Sequence, residues 1–182
     1  MNVRTTISRC LALAVLLAPA PALAQGARLQ LDQLTRLAEK SEETVDVSVD
    51  TAMLKQAAGF LAGKGADADQ LNSMIDDIRG IYVKSFKFST PNAYSDSDVE
   101  SVRKQVSGSA WARVVSVREK QQLTEIYIFR EKETNGGLVV LTAQPEEFTV
   151  VNIVGEINLA SLAALGPMIP KLPDAIRKTV PK

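Results

Sequence analysis

Apolar and polar positions alternate most clearly across residues 111–165, WARVVSVREKQQLTEIYIFREKETNGGLVVLTAQPEEFTVVNIVGEINLASLAAL. Runs rich in Val, Ile, Tyr, Phe and Thr are separated by turn-forming segments at residues 119–122, at Asn135-Gly136-Gly137 and at Gln144-Pro145-Glu146. That spacing predicts four strands joined as an antiparallel meander. Val115 and Val117 alternate with Ser116 and Arg118, so the first of these strands is expected to be half-solvated. In the last, Phe148, Val150 and Val154 alternate with Thr149, Val151 and Ile153, which makes it apolar on both faces and places it at the centre of a sheet or under cover. Gly155 ends that strand. Asn158 is the expected N-cap of a short helix with an apolar stripe of Leu159, Leu162, Ala163 and Leu165, stopped by Gly166-Pro167.

The N-terminal half carries the other elements. Leu31, Leu34, Leu37 and Ala38 predict a short amphipathic helix over 30–40. Val45, Val47 and Val49 alternate with Asp46, Ser48 and Asp50 as a strand does, and a helix over 52–62 follows, with Met53, Leu54, Ala57, Phe60 and Leu61 expected inward. Leu71, Met74, Ile75 and Ile78 recur at i, i+3, i+4 and i+7, which predicts a helix over 69–79. Gly80 opens a strand over 81–88 that shows Tyr82, Phe86 and Phe88 on one side. After a turn at Pro91-Asn92, Ser95 with Asp98 three residues on reads as a weak capping box, and Val99, Val102 and Val106 form the buried face of the helix it starts. The expected fold is therefore α+β: a two-layer sandwich of one mostly antiparallel sheet of about six strands, ending in the four-strand meander, with helices packed on one face.

Composition then narrows the chemistry. Residues 1–24 hold Arg4 and Arg9, an apolar run from Leu11 to Leu17, and Ala22 and Ala24 at the small positions of an A-x-A cleavage site. This is a secretory signal peptide. The run is well short of the roughly 20 residues that span a bilayer. Cys10 precedes it, whereas a lipidated cysteine follows it, so the protein is expected to be periplasmic or secreted, soluble and not lipidated. Cleavage after Ala24 removes the single cysteine, and the sequence has 0 histidines. Disulfides, thiol and His-based catalysis and the usual zinc sites are thereby excluded from the exported chain. The 21 basic residues fall by two against 21 acidic ones, leaving a formal charge of about −2 and no basic surface that would mark a nucleic-acid partner. Residues 25–172 are expected to form one domain. Residues 173–182 form a tail in which Arg177, Lys178 and Lys182, with Lys171 just before it, are free to touch anionic lipid or to remain solvated.

Several constellations that look chemical have plainer explanations. Gly63-Lys64-Gly65 lacks the spacing and the Ser or Thr of a phosphate-binding loop. Asp76 and Asp77 diverge by about 100° on a helix and do not converge on one atom. Asp96, Asp98 and Glu100 miss the Gly and Glu of a calcium loop and suit a helix N-terminus instead. Lys84 and Ser85 point to opposite faces of a strand. No catalytic residue, metal ligand or cofactor is predicted.

The segments LTRLAEKSEETVDVSVD, RGIYVKSFKFSTPNAYSDSDVESVRKQV, WARVVSVRE, EIYIF and GGLVVLTAQPEEFTVVNIVGEINLASLAALG, with a final IPKL, resemble the DUF4252 family of exported bacterial proteins over residues 31–172. The resemblance implies an uncharacterised periplasmic protein or lipoprotein, in some members encoded beside sigma-factor and anti-sigma-factor genes. Two departures matter here. There is no lipidatable cysteine after the leader, and Gln144 stands where the family carries an acidic residue before its proline.

Three functional readings follow. The first is a non-catalytic binding or protein-interaction module, its partner an envelope protein, with candidate surface residues Tyr94, Trp111, Asn135, Gln144 and Asn152. Trp111 is either an exposed anchor or a core residue covering the sheet edge. Asn152, inside the apolar run VVNIVG, must be hydrogen-bonded if buried. It therefore fastens a neighbouring loop or faces a cavity. The second reading is a carrier of an apolar small molecule or lipid, with Phe86, Phe88, Tyr127, Phe129 and Phe148 around a pocket. The third, an enzyme without His or Cys, has no candidate site.

Overall fold

The structure is a computed structural model that describes residues 26–62, 76–131 and 134–157. The leader expected at 1–24, the loop expected at 63–68, most of the helix expected over 69–79, the helix expected after Asn158 and the tail expected at 173–182 lie outside the described residues. A 3-10 helix spans Asp32–Lys40. It is followed by strand β1 (Glu43–Asp50), helix α1 (Thr51–Ala62), β2 (Ile78–Lys87), α2 (Asp96–Gln105), β3 (Trp111–Glu119), β4 (Gln122–Glu131), β5 (Thr134–Gln144) and β6 (Glu147–Gly155).

The six strands form one sheet in the order β1-β2-β6-β5-β4-β3. Every neighbouring pair is antiparallel. The fold is thus the expected α+β arrangement, with the four-strand meander intact. The apolar character of β6 on both faces has its reason in this order: the strand lies between β2 and β5 and is covered above and below.

One face carries Phe86, Phe88, Leu123, Tyr127, Val139, Leu141, Phe148 and Val150, packed under Leu34 and Leu37 of the 3-10 helix and Val99, Val102 and Val106 at α2. Leu31, Leu34 and Leu37 recur at strict i, i+3 spacing. A helix with three residues per turn stacks that spacing in a single row, whereas a 3.6-residue turn would spread it. The opposite face carries a second buried cluster, Ile78, Ile126, Ile128, Leu138, Val140, Val151, Ile153 and Ile157, and Leu54 of α1 packs there. Helical cover therefore reaches both faces. Met53, expected inward, is 51% exposed, because α1 turns Leu54 to the sheet and Met53 one step round the helix away from it.

Gly155 ends β6 at φ +140°, where an added Cβ would lie 2.1 Å from the Asp77 carbonyl oxygen. Only glycine tolerates that approach together with that dihedral. The close contact joins the end of β6 to the start of β2, and Glu156 N–H donates to the same Asp77 oxygen at 2.9 Å.

Candidate functional site

The segment entering the 3-10 helix is bound to the sheet by one side chain. Asn152 of β6 is 0% exposed. Its Oδ1 accepts the Leu29 N–H at 2.9 Å, and its Nδ2 donates to the carbonyls of Ala27 at 2.9 Å and Leu138 at 3.2 Å. Beside it, Gly137 leaves room for Ala27, whose Cβ would lie 2.5 Å from a Cβ at 137. The far side of the same segment is tied to α2 by a paired amide contact. Gln30 N–H donates to Gln105 Oε1 at 2.8 Å, and Gln105 Nε2 donates to Gln30 O at 2.9 Å. Asn152 thus fastens a neighbouring segment, one of the two roles its position allowed, and is corrected as a surface residue: no atom of it reaches solvent.

α2 starts as its sequence directs. Ser95 N–H and Oγ both donate to Asp98 Oδ2, at 2.8 and 2.7 Å, and Arg36 of the 3-10 helix pairs with Asp98 Oδ1. Burial pushes the Asp98 carboxyl up, but the bonds from Ser95 and the Arg36 charge outweigh it and hold the group below the usual carboxylate range. Asp98 thus caps the helix and docks it on the 3-10 helix through Arg36.

Glu125 of β4 lies 2% exposed under the same helix. It accepts from Arg103 Nε at 2.8 Å and Nη2 at 3.2 Å, from Arg113 Nη1 at 2.9 Å and from the Tyr127 hydroxyl at 2.9 Å. Burial alone would raise its carboxyl; the Arg103 and Tyr127 hydrogen bonds, with the two guanidinium charges, bring it below the ordinary value. Burial and the Glu125 carboxylate raise the Tyr127 phenol in turn. Arg103 also pairs with Glu100. Sequence reading missed this cluster, although the signal was visible: one carboxylate inside the run LTEIYIF has to be paired if the strand is covered.

At the end of the sheet where the β3–β4 and β5–β6 turns meet the start of α2, a groove of about 570 Å³ opens, lined by Asn92, Tyr94, Asp96, Glu100, Arg103, Arg118, Lys120, Gln121, Gln122 and Pro145 among others. Tyr94 forms part of its wall. Its ring stacks on Phe148 at 5.1 Å and lies 5.7 Å from Phe88, and its hydroxyl donates to the Gln144 carbonyl at 2.5 Å. Burial, with the nearby Asp96 charge, pushes the Tyr94 phenol up to about 12. Asn92 and Lys120 both take left-handed backbone, at φ 62° and 53°, and Asn92 N–H donates to the Pro145 carbonyl at 2.7 Å. Among the described residues Arg118 and Lys120 make no ion pair.

The five sequence-predicted surface residues do not converge. Tyr94 lines the groove and holds the backbone carbonyl of Gln144, whose residue is not part of the lining. Trp111 begins β3, at the other end of the strand from Lys120; it is half-buried against the core, edge-on to Phe129 at 5.2 Å. Its Nε1–H finds no acceptor among the described residues. Asn135 faces Arg130 in the ladder near that end, and its side chain lies outside the described residues. Asn152 is interior. Of the rings proposed to line an apolar pocket, Phe86, Phe88, Tyr127 and Phe148 are packed into one core cluster, and Phe129 against Trp111.

A family model described as a domain of unknown function (DUF4252) matches residues 38–165. The chain belongs to that family. The DUF4252 match takes in the sheet, α1, α2 and the groove, and begins after the strap held by Asn152. No curated protein and no solved structure matches the chain. Among the described residues no helix is long and apolar enough to cross a membrane, and no cluster of three or more His, Cys, Asp or Glu is placed to hold a metal.

Proposed function

We propose that this DUF4252 protein is an exported, non-catalytic binding module of the cell envelope, and that the groove at the turn end of the sheet receives a segment of a partner protein. One observation carries the reading: the groove is lined by both signs of charge, Asp96 and Glu100 with Arg103, Arg118 and Lys120, together with the side-chain amides of Asn92, Gln121 and Gln122. Such a lining matches the mixed charges and amide groups of a polypeptide and discriminates by complementarity. Val99, Leu123 and Ala143 supply the smaller, apolar part of the lining, which favours a polypeptide over an acyl chain. The leader at 1–24 and its A-x-A site support action after export, released from the membrane. A link to envelope signalling remains the expectation that family resemblance supplies.

Catalysis is disfavoured on chemical grounds. The chain has no histidine, its one cysteine falls in the expected leader, and the carboxylates buried among the described residues are engaged, Glu125 by Arg103, Arg113 and Tyr127 and Asp98 by Ser95 and Arg36.

The test is site-specific crosslinking in the native envelope. A photo-reactive residue at Gln121 should capture a defined partner, and Lys120→Glu or Glu100→Lys should abolish the capture while a probe on β1 does not capture that partner. A partner held equally well by the groove variants would overturn the reading, as would a stoichiometric lipid in the same eluate with no protein partner.

A further inference from the structure

The sheet is open, and its two edges carry opposite charge. β1 shows Glu43, Asp46 and Asp50 to solvent, with Asp46 also paired to Lys84 of β2; β3 shows Arg113, itself paired to Glu125, and Arg118, offset by Glu119, with Lys120 in the adjoining turn. Six strands with every pair antiparallel means that the two edge strands run in opposite directions. A second copy brought alongside without being turned over therefore lays its β1 antiparallel to β3, and each face of its sheet continues the like face of the first.

Side-chain parity agrees with that placement. Asp46 and Ser48 of β1 lie on the face of their ladder partners Lys84 and Tyr82, and Ser116 and Arg118 of β3 lie on the face of Glu125 and Leu123, which is the face under α2. A single register puts Asp46 opposite Arg118 and Ser48 opposite Ser116. On the other face it puts Val47 opposite Val117 and Val49 opposite Val115. Opposite charges and β-branched pairs facing one another across strands are the stabilising combinations. Pairing β1 with β1 would set acid near acid, and β3 with β3 would set Arg near Arg. Charged edges ordinarily prevent a sheet from pairing with its like. Here the two edges repel themselves and attract each other.

We infer that the β1 edge of one copy adds to the β3 edge of a second copy of this chain, head to tail. The regular ladder of β3 is interrupted between Arg113 and Val115, and Val114, 47% exposed, bulges there. Pairing is therefore confined to the stretch from Val115 to Glu119, and the association is weak, salt-sensitive and open-ended.

Sedimentation equilibrium of the full chain, expressed with its leader and purified without any partner, tests this from micromolar to millimolar concentration. The mass average should rise with concentration, without levelling at a dimer, and should fall with added salt. Arg118→Asp removes no ion pair seen among the described residues and should weaken association about fivefold or more. Asp46→Arg, which also takes away the partner of the buried Lys84, should do the same, and an equimolar mixture of the two variants should recover association, because each then offers the edge the other lacks. If Asp46→Arg does not fold, Arg118→Asp decides alone. A wild-type chain that stays monomeric at millimolar concentration, a plateau at dimer, or variants that associate like wild type would each overturn the inference. No partner protein is present, and although Arg118 also lines the groove, Asp46 lies outside it, so recovery in the mixture reports on the strand edges alone.

Discussion

Asn152 and Leu29 are separated by 123 positions in sequence and joined by a hydrogen bond of 2.9 Å at a point with no solvent access. The bond makes the central strand the anchor of the segment that leads into the 3-10 helix. Replacing Asn152 by Leu would leave the Leu29 N–H and the Ala27 carbonyl buried without partners, at a cost of about 2–4 kcal/mol. Urea unfolding should show that loss as a lower midpoint at unchanged slope, and amide exchange at Leu29 should accelerate more than exchange in β4.

Gly137→Ala should destabilise the protein by about 1–3 kcal/mol, because the new methyl would overlap Ala27. Ala27→Gly in the same chain should recover most of that loss. A double-mutant cycle over these two positions, measured by thermal or denaturant unfolding, checks the contact directly; additive effects would show that strap and strand do not touch there.

Glu125→Gln removes the charge that Arg103 and Arg113 share and should cost about 3 kcal/mol near neutral pH, within the range for breaking a buried pair, reduced here because Arg113 is half-exposed. The pH dependence has a definite sign. The folded-state carboxyl lies below its unfolded value of about 4.3, so the unfolded chain takes up the proton first as pH falls. The stability due to the pair is therefore present above that value and lost as pH falls through the folded-state value. Asp98, also lowered, adds to the same acid limb. Unfolding free energies between neutral pH and pH 3 should fall steeply for wild type and less steeply for Glu125→Gln.

Tyr94→Phe should cost about 1 kcal/mol for the bond to the Gln144 carbonyl, and Tyr94→Ala about 3–5 kcal/mol, since the ring stacked on Phe148 goes too. The phenol is raised to about 12 in the fold against about 10 when exposed, so the native state keeps its proton while the unfolded state loses it. Stability from this group is thus complete below pH 10 and declines as pH climbs toward 12. Phenolate absorbance near 295 nm should show Tyr94 and Tyr127 both titrating late, and the late amplitude should fall by one tyrosine in Tyr94→Phe.

The chain's local patterns determined its elements. Period-two runs marked β1, β3 and β6, the leucines at 31, 34 and 37 marked a helical row, and Ser95 with Asp98 marked the start of α2. The doubly apolar run of β6 announced a central strand. The reason is that a side chain's direction along a helix or strand depends on a few neighbouring dihedrals, so burial on one face is written into consecutive residues. Tertiary structure alone decided which strand edges meet, and with them every contact between distant positions. Glu125 reads as a surface charge until Arg103 and Arg113 are laid over it, and Asn152 as a stray amide until residues 27–29 cross its strand. Tyr94, Lys120 and Glu100 become one groove only when two hairpin turns and a helix start arrive at the same end of the sheet. Such pairings are set by packing and loop closure over tens of residues, and no local period records them.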